Sequence, residues 1–170
     1  MTQATMRLAD AAIAELEQES AATRRVLERV PENRLDWRPH PKSFSLGQLA
    51  YHIASTPAGV ARIAAQDGME APDLAQRPSA TKAEILAAHD ASVQVAKEFL
   101  RGLDDERAEA AWTMTRGGKP IMSMPRIEVV RMIMFRHIYH HRGELCVYLR
   151  LLDVPVPSVY GPSADENPFA

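Results

Sequence analysis

The chain has 170 residues, of which 46% are hydrophobic, with a formal net charge of -2 and one cysteine. This length suits one domain, residues 1–170, and the near-balanced charge gives no basis for binding nucleic acid or an anionic membrane. The lone Cys146 excludes an internal disulfide, no apolar run approaches the ~20 residues of a membrane span, and residues 1–5 lead into an acidic helix instead of a cationic leader, so a cytoplasmic protein is expected.

Four helical segments are predicted, in an all-α fold. The first covers residues 4–30, with Ala9, Ile13, Leu16, Leu27 and Val30 in near-heptad rhythm and Glu15, Glu17, Glu19, Arg24 and Arg25 left for solvent; Pro31 ends it. Residues 32–43 connect it to the next helix through Pro39-His40-Pro41, with Trp37 plugging the end of the core. The second helix opens on a Ser45/Gln48 capping box and turns Leu46, Leu49, Ile53, Val60 and Ile63 inward, with His52 on the same side. Pro57 either kinks this helix beyond His52, leaving room for a ligand, or together with Gly59 only steers it around its neighbours.

Residues 66–80 read as a loop long enough to let the third helix run parallel to the second. A Thr81/Glu84 capping box starts that helix, with Ile85, Leu86, Val93, Ala96, Leu100 and Leu103 inward; His89 lies near this stripe, either entering a site or sitting at a boundary. The pattern breaks over 104–123, where 112–122 read as a short β-hairpin or ordered loop around Gly117-Gly118. The fourth helix covers 124–152, and the proline-rich tail 153–170 is expected to be extended, anchored by Val156 and Tyr160.

Three of the six histidines fall within five residues of the fourth helix. His137 and His141 are one helical turn apart, rotated by only ~40° and raised by ~6 Å. They fill a gap in the apolar stripe Ile127, Val130, Met134, Leu145, Tyr148 and Leu152, and are therefore expected to face the core. Two neutral imidazoles in one apolar volume are hard to satisfy with protein groups alone, whereas a metal accepts one nitrogen from each. The alternatives are core histidines bonded to backbone carbonyls, or a helix rotated so that the pair meets water. Adding His52 makes three nitrogens, which leave a coordination position open as in catalytic zinc; imidazole suits nickel, iron or copper as well.

The run Ser45-Leu46-Gly47-Gln48-Leu49-Ala50-Tyr51-His52-Ile53, with His137-Ile138-Tyr139-His140-His141-Arg142-Gly143-Glu144-Leu145 and the ending Val154-Pro155-Val156-Pro157 through Tyr160-Gly161-Pro162, resembles the DinB/YfiT-like family. The resemblance implies a four-helix bundle of up-down-down-up topology, often a homodimer, with a divalent metal (zinc or nickel first, then iron) held by His52, His137 and His141. Relatives include thiol S-transferases that use low-molecular-weight thiols, and the metal-binding part of mycothiol-dependent maleylpyruvate isomerase is similar. The expected function is a metal-dependent transferase or hydrolase that activates a thiol or water against a small electrophilic substrate. The alternatives are a non-catalytic metal-binding stress protein and a plain helical dimerisation module.

Glu144 stands where the motif usually has glutamine, and on a helix it returns to within ~20° of His137. It is the candidate catalytic residue, as a proton acceptor, a fourth ligand or a group orienting a histidine; a salt bridge to a neighbouring arginine is the alternative. His140 could replace either ligand or serve helix packing. Arg142 points away, towards a structural ion pair, and Gly143 lets another helix approach. Tyr51 and Tyr139 read as packing or interface residues, and Cys146 as a packed or interfacial thiol.

Overall fold

The structure is a computed structural model that describes residues 6–72 and 80–169. Its first helix, α1 (Leu8–Leu27), is capped by the Asp10 carboxylate, which accepts from the Arg7 amide at 3.0 Å. Ala9, Ala12, Leu16, Val26 and Leu27 are buried, as amphipathic spacing requires. Glu19, expected in solvent, is buried too. Its charge is matched by Arg142 of the last helix, a partner 123 positions away that periodicity within α1 does not reveal.

The second helix, α2 (Leu46–Ala64), begins with the expected box: the Gln48 amide donates to Ser45 Oγ at 3.2 Å and the Ser45 amide to Gln48 Oε1 at 3.0 Å. It continues through Pro57 without ending. A proline nitrogen has no proton to donate, and the next amide, Ala58, donates to Ser92 Oγ of α3 (Lys82–Arg101) at 2.7 Å. α3 carries the predicted Thr81/Glu84 box, buries Ile85, Val93, Ala96 and Leu100, and makes the most extensive helix packing among the described residues, against α2 and then α1. Trp37 closes one end of the core, its ring edge-on to Tyr148 at 5.6 Å.

The fold is mostly helical, with four main helices, but it is not all-α: a three-stranded sheet lies between and after the middle helices. Strand β1 (Gly68–Glu70) precedes α3; the short helix α4 (Asp105–Glu109), β2 (Ala111–Arg116) and β3 (Lys119–Pro125) follow it. β2 and β3 form the predicted hairpin, turning on Gly117 and Gly118 at φ 57° and 73°, the positive pair that a two-residue turn of this twist needs. β1 was expected to be loop. It pairs in parallel with β2, with Gly68 opposite Thr113 so close that a Cβ there would sit 2.2 Å from the Thr113 carbonyl oxygen. The remainder of the predicted loop, 73–79, and the predicted helix start at residues 4 and 5 lie outside the described residues. Trp112 of β2 is fully buried and donates to the Ile63 carbonyl at 3.0 Å.

The predicted fourth helix is a composite: α5 (Arg126–Val129), a π-helical stretch (Val130–Arg136) and α6 (His137–Leu151). Widened turns of this kind often mark functional sites in helices. Arg126, only 1% exposed, caps the end of α2: it donates to the carbonyls of Ala64 (2.7 Å), Gln66 (3.1 Å) and Arg107 (2.8 Å) and to Asp67 Oδ1 (2.6 Å).

Arg142 is equally buried, at 2% exposure, and ties α6 to α1. Its guanidinium donates to Glu19 Oε2 at 2.7 Å and Thr23 Oγ1 at 3.0 Å, and it lies over the rings of Tyr139 and Tyr160. The tail is anchored here, as expected for Tyr160, whose hydroxyl donates to Glu19 Oε2 at 2.8 Å. Burial first, and the Glu19 carboxylate next, push that hydroxyl up to about 12. Tyr139 likewise packs, and donates to Glu15. Gly143 corrects the expectation of a close helix: it is exposed, with nothing within 4 Å of a built Cβ. Cys146 is half-buried against the core, and burial raises its thiol pKa. Among the described residues no helix is long and apolar enough to cross a membrane.

Candidate metal centre

Three imidazoles meet where α2 packs against α6. His52 Nε2 lies 2.7 Å from His137 Nε2. The ring centroids of His52, His137 and His141 are 4.4 to 4.8 Å apart, each ring steeply inclined to the other two. Each of the three can offer one nitrogen such that all lie within 4.8 Å of one another. The structure thus brings together His52, His137 and His141.

Local sequence accounts for these positions. His52 is buried because Leu49 and Ile53, on either side of it on α2, are core residues. His137 opens α6 directly after the π-helical stretch, and regular helix then carries His141 to the same side one turn on. The deepest face of α6 is, however, Ile138, Arg142, Leu145 and Leu149. The histidine pair was expected to face the core; it sits on the flank of that face and is half-buried, while the centre is taken by Arg142, whose charge is neutralised by Glu19.

Two partners orient the rings. His141 Nδ1 lies 2.6 Å from Glu144 Oε2, and a carboxylate accepts the Nδ1 proton, leaving the Nε2 lone pair for the centre. At His52, the Thr56 hydroxyl spends its proton on the His52 carbonyl at 2.6 Å; its oxygen, 3.5 Å from Nδ1, is left as an acceptor. Both contacts present Nε2 inward.

The donor set fits a divalent ion. Three neutral imidazoles suit zinc, nickel or iron. A tetrahedral ion with Zn–N of ~2.0–2.1 Å holds neighbouring nitrogens ~3.3 Å apart, so on binding the His52–His137 pair, 2.7 Å apart, would part by roughly 0.6 Å.

Glu144 reaches the outer nitrogen of His141 and is not among the described residues lining the cavity beside the triad. His140 is exposed, with Nε2 3.4 Å from Glu144 Oε1; with His141 and Glu144 it makes a second, more open group of donors. His89 is buried on α3 beside Asp90 and does not join the triad; burial lowers its imidazole pKa, against a weaker opposing effect of Asp90.

Beside the triad opens a cavity of about 390 Å³, bordered by His52 and His137. Ser55, Thr56, Gly59, Val60 and Ile63 of α2 form one side; Ile133 of the π-helical stretch, Met69 of β1, Met114 of β2 and Pro72 form the others. The methionines and Ile133 were not among the residues picked out from sequence. Met114 lies in the predicted hairpin segment, but nothing local to β1 shows that Met69 will be brought to it.

Protein YrdA of Bacillus subtilis (strain 168), itself uncharacterized, is 26% identical over 152 residues, covering 87% of this chain and 85% of YrdA. Two solved structures share the fold. A DinB-like protein from Bacillus cereus ATCC 10987 superposes with TM-score 0.69 at 20% identity, over 86% of this chain and 94% of that one. The DinB-like protein YjoA of Bacillus subtilis gives 0.66 at 17% identity, over 86% and 96%. The sequence profile of the DinB superfamily matches residues 15–145, a span that includes His52, His137, His141 and Glu144, and the chain belongs to that superfamily.

Proposed function

We propose that this chain holds a divalent metal ion on His52, His137 and His141 and is a metal-dependent enzyme, a thiol S-transferase or hydrolase acting on a small electrophilic substrate. The observation that supports it is the convergence of three imidazoles at the edge of a cavity large enough for a small molecule. Bound there, a divalent ion, zinc or nickel before iron, supplies the Lewis acidity that makes a nucleophile available near neutral pH. Glu144 accepts the Nδ1 proton of His141 and the Thr56 oxygen stands in the same place for His52, so that both rings turn Nε2 towards the ion. The largely apolar cavity walls offer an entering electrophile a surface from which part of its water is displaced. The family resemblance favours a low-molecular-weight thiol, a homodimer and the up-down-down-up order of the main helices, and the single cysteine favours a reducing, cytoplasmic compartment. A purely structural metal would call for closure of the site by a further side chain, and the cavity beside His52 and His137 weighs against that.

Metal analysis of the purified protein is the test. Wild type is expected to carry one equivalent, and the His52→Ala and His141→Ala variants to lose it; unchanged stoichiometric metal in both variants would overturn the site. A panel of low-molecular-weight thiols with electrophiles then tests catalysis, and no chelator-sensitive turnover across it favours the structural role. Glu144→Ala is expected to weaken metal binding about 10- to 100-fold, the usual effect of removing a partner of a ligating histidine. Glu144→Gln retains an acceptor and should fall between, as read by competition with a chromogenic chelator.

A further inference from the structure

Gly59 is placed where local structure makes no demand for glycine. It lies inside α2, where alanine is the better helix former, and a Cβ built on it meets nothing within 4 Å. The room around it is the cavity beside the triad. Seven residues separate Gly59 from His52, so both lie on one face of the helix to within ~20°. Met69, Met114 and Ile133 stand on the other sides. Among the described residues lining this cavity, none apart from His52 and His137 has a side chain that ionises, and the other polar side chains are the hydroxyls of Ser55 and Thr56. The Thr56 proton is already committed to the His52 carbonyl. Away from the triad, a charged group brought here would find no counter-charge among these lining side chains and would lose part of its water.

We propose that this cavity binds an uncharged alkyl or aryl portion of the substrate, with the reactive end at His52 and His137, and that Gly59 sets the size of group admitted. The inference rests on the triad being the reacting centre only for which end of the ligand points there. The volume, about 390 Å³, lies within the range of small-molecule sites.

A matched pair of fluorescent probes tests it: N-phenyl-1-naphthylamine, neutral, and 8-anilinonaphthalene-1-sulfonate, the same skeleton with a sulfonate. Each is titrated into the protein as purified and after chelation. Wild type is expected to bind the neutral probe at least tenfold more tightly than the sulfonate after chelation. Gly59→Leu should weaken neutral-probe binding tenfold or more while leaving metal content and Tm unchanged or higher, with Gly59→Ala between. If the leucine variant does not fold, Ile133→Trp fills the cavity from the opposite wall with the same expected loss. Undiminished probe binding in a folded Gly59→Leu or Ile133→Trp variant, or equal affinity for the two probes, overturns the proposal. So does a dimer, seen by sedimentation, that the neutral probe competes away, since the cavity would then belong to a second copy of the chain. Selective neutral-probe binding by wild type that holds no metal leaves this inference standing and removes the metal reading instead.

Discussion

Replacing Arg142 by methionine is expected to cost about 3–5 kcal/mol of folding stability and to lower Tm by roughly 6–20 °C. The cost arises less from the lost attraction than from what is left behind. Glu19 is buried, and with Arg142 removed its carboxylate retains only the Tyr160 hydroxyl among these partners. A buried charge without its counter-charge is among the most destabilising local changes known. The double variant Arg142→Met with Glu19→Leu removes both charges at once and should recover most of the loss, because a well-packed apolar pair of similar volume often equals or exceeds a buried ion pair. Thermal and urea melts of the two single variants and the double variant measure this; a single Arg142→Met variant within 1 kcal/mol of wild type would show that the pair carries little of the fold.

Arg126→Met should cost about 3 kcal/mol, for a different reason. Its ionic partner Asp67 is almost fully exposed and is readily rehydrated, so little penalty lies there. The loss is of donors: the carbonyls of Ala64, Gln66 and Arg107 all accept from this one guanidinium, and the buried Ala64 carbonyl left unpaired costs about 1–3 kcal/mol, while those of the exposed Gln66 and Arg107 recover part of their bonding from water. Lysine presents no planar fork and should rescue less than half. Urea denaturation gives the stability, and amide exchange across β2 reports whether the wall carrying Met114 loosens. Unaltered exchange there, with unaltered stability, would remove Arg126 from any account of how α2 is joined to the sheet.

Both arginines show why parts of the fold are legible in sequence and others are not. α1, α2 and α3 are written in stripes and capping boxes, where each residue's fate depends on neighbours three or four positions away. The hairpin turn is written in Gly117-Gly118 for the same local reason. Glu19 looks like a surface acid until its partner across the bundle is known. Arg126 has no local signal at all. β1 is three residues long and pairs with a strand beyond α3, so neither its length nor its composition distinguishes it from loop. The π-helical stretch preserves a helical composition while changing its pitch, which periodicity read at 3.6 residues per turn does not register.

The candidate site divides in the same way. The four-residue spacing of His137 and His141 is local and predicts their common direction, and His52 stands out on the inner side of its own stripe. Glu144 also follows from helical spacing, although its contact is with the outer nitrogen of His141. How deeply the pair is buried depends on Arg142 taking the central face of α6, and the cavity depends on β1. Neither is inscribed near the histidines.

The parallel pairing of β1 with β2 also bears on the order in which the molecule is built. All of α3 lies between the two strands, and His52 and His137 are 85 positions apart. Closing such long loops costs entropy that is recovered only once the intervening helices have docked, so contacts of this separation form late. During synthesis, α2 and α3 emerge and can pair before the last helix exists. The ligand wall and the histidine cluster therefore mature together, at the final stage of folding, and a chain caught earlier has its helices without either.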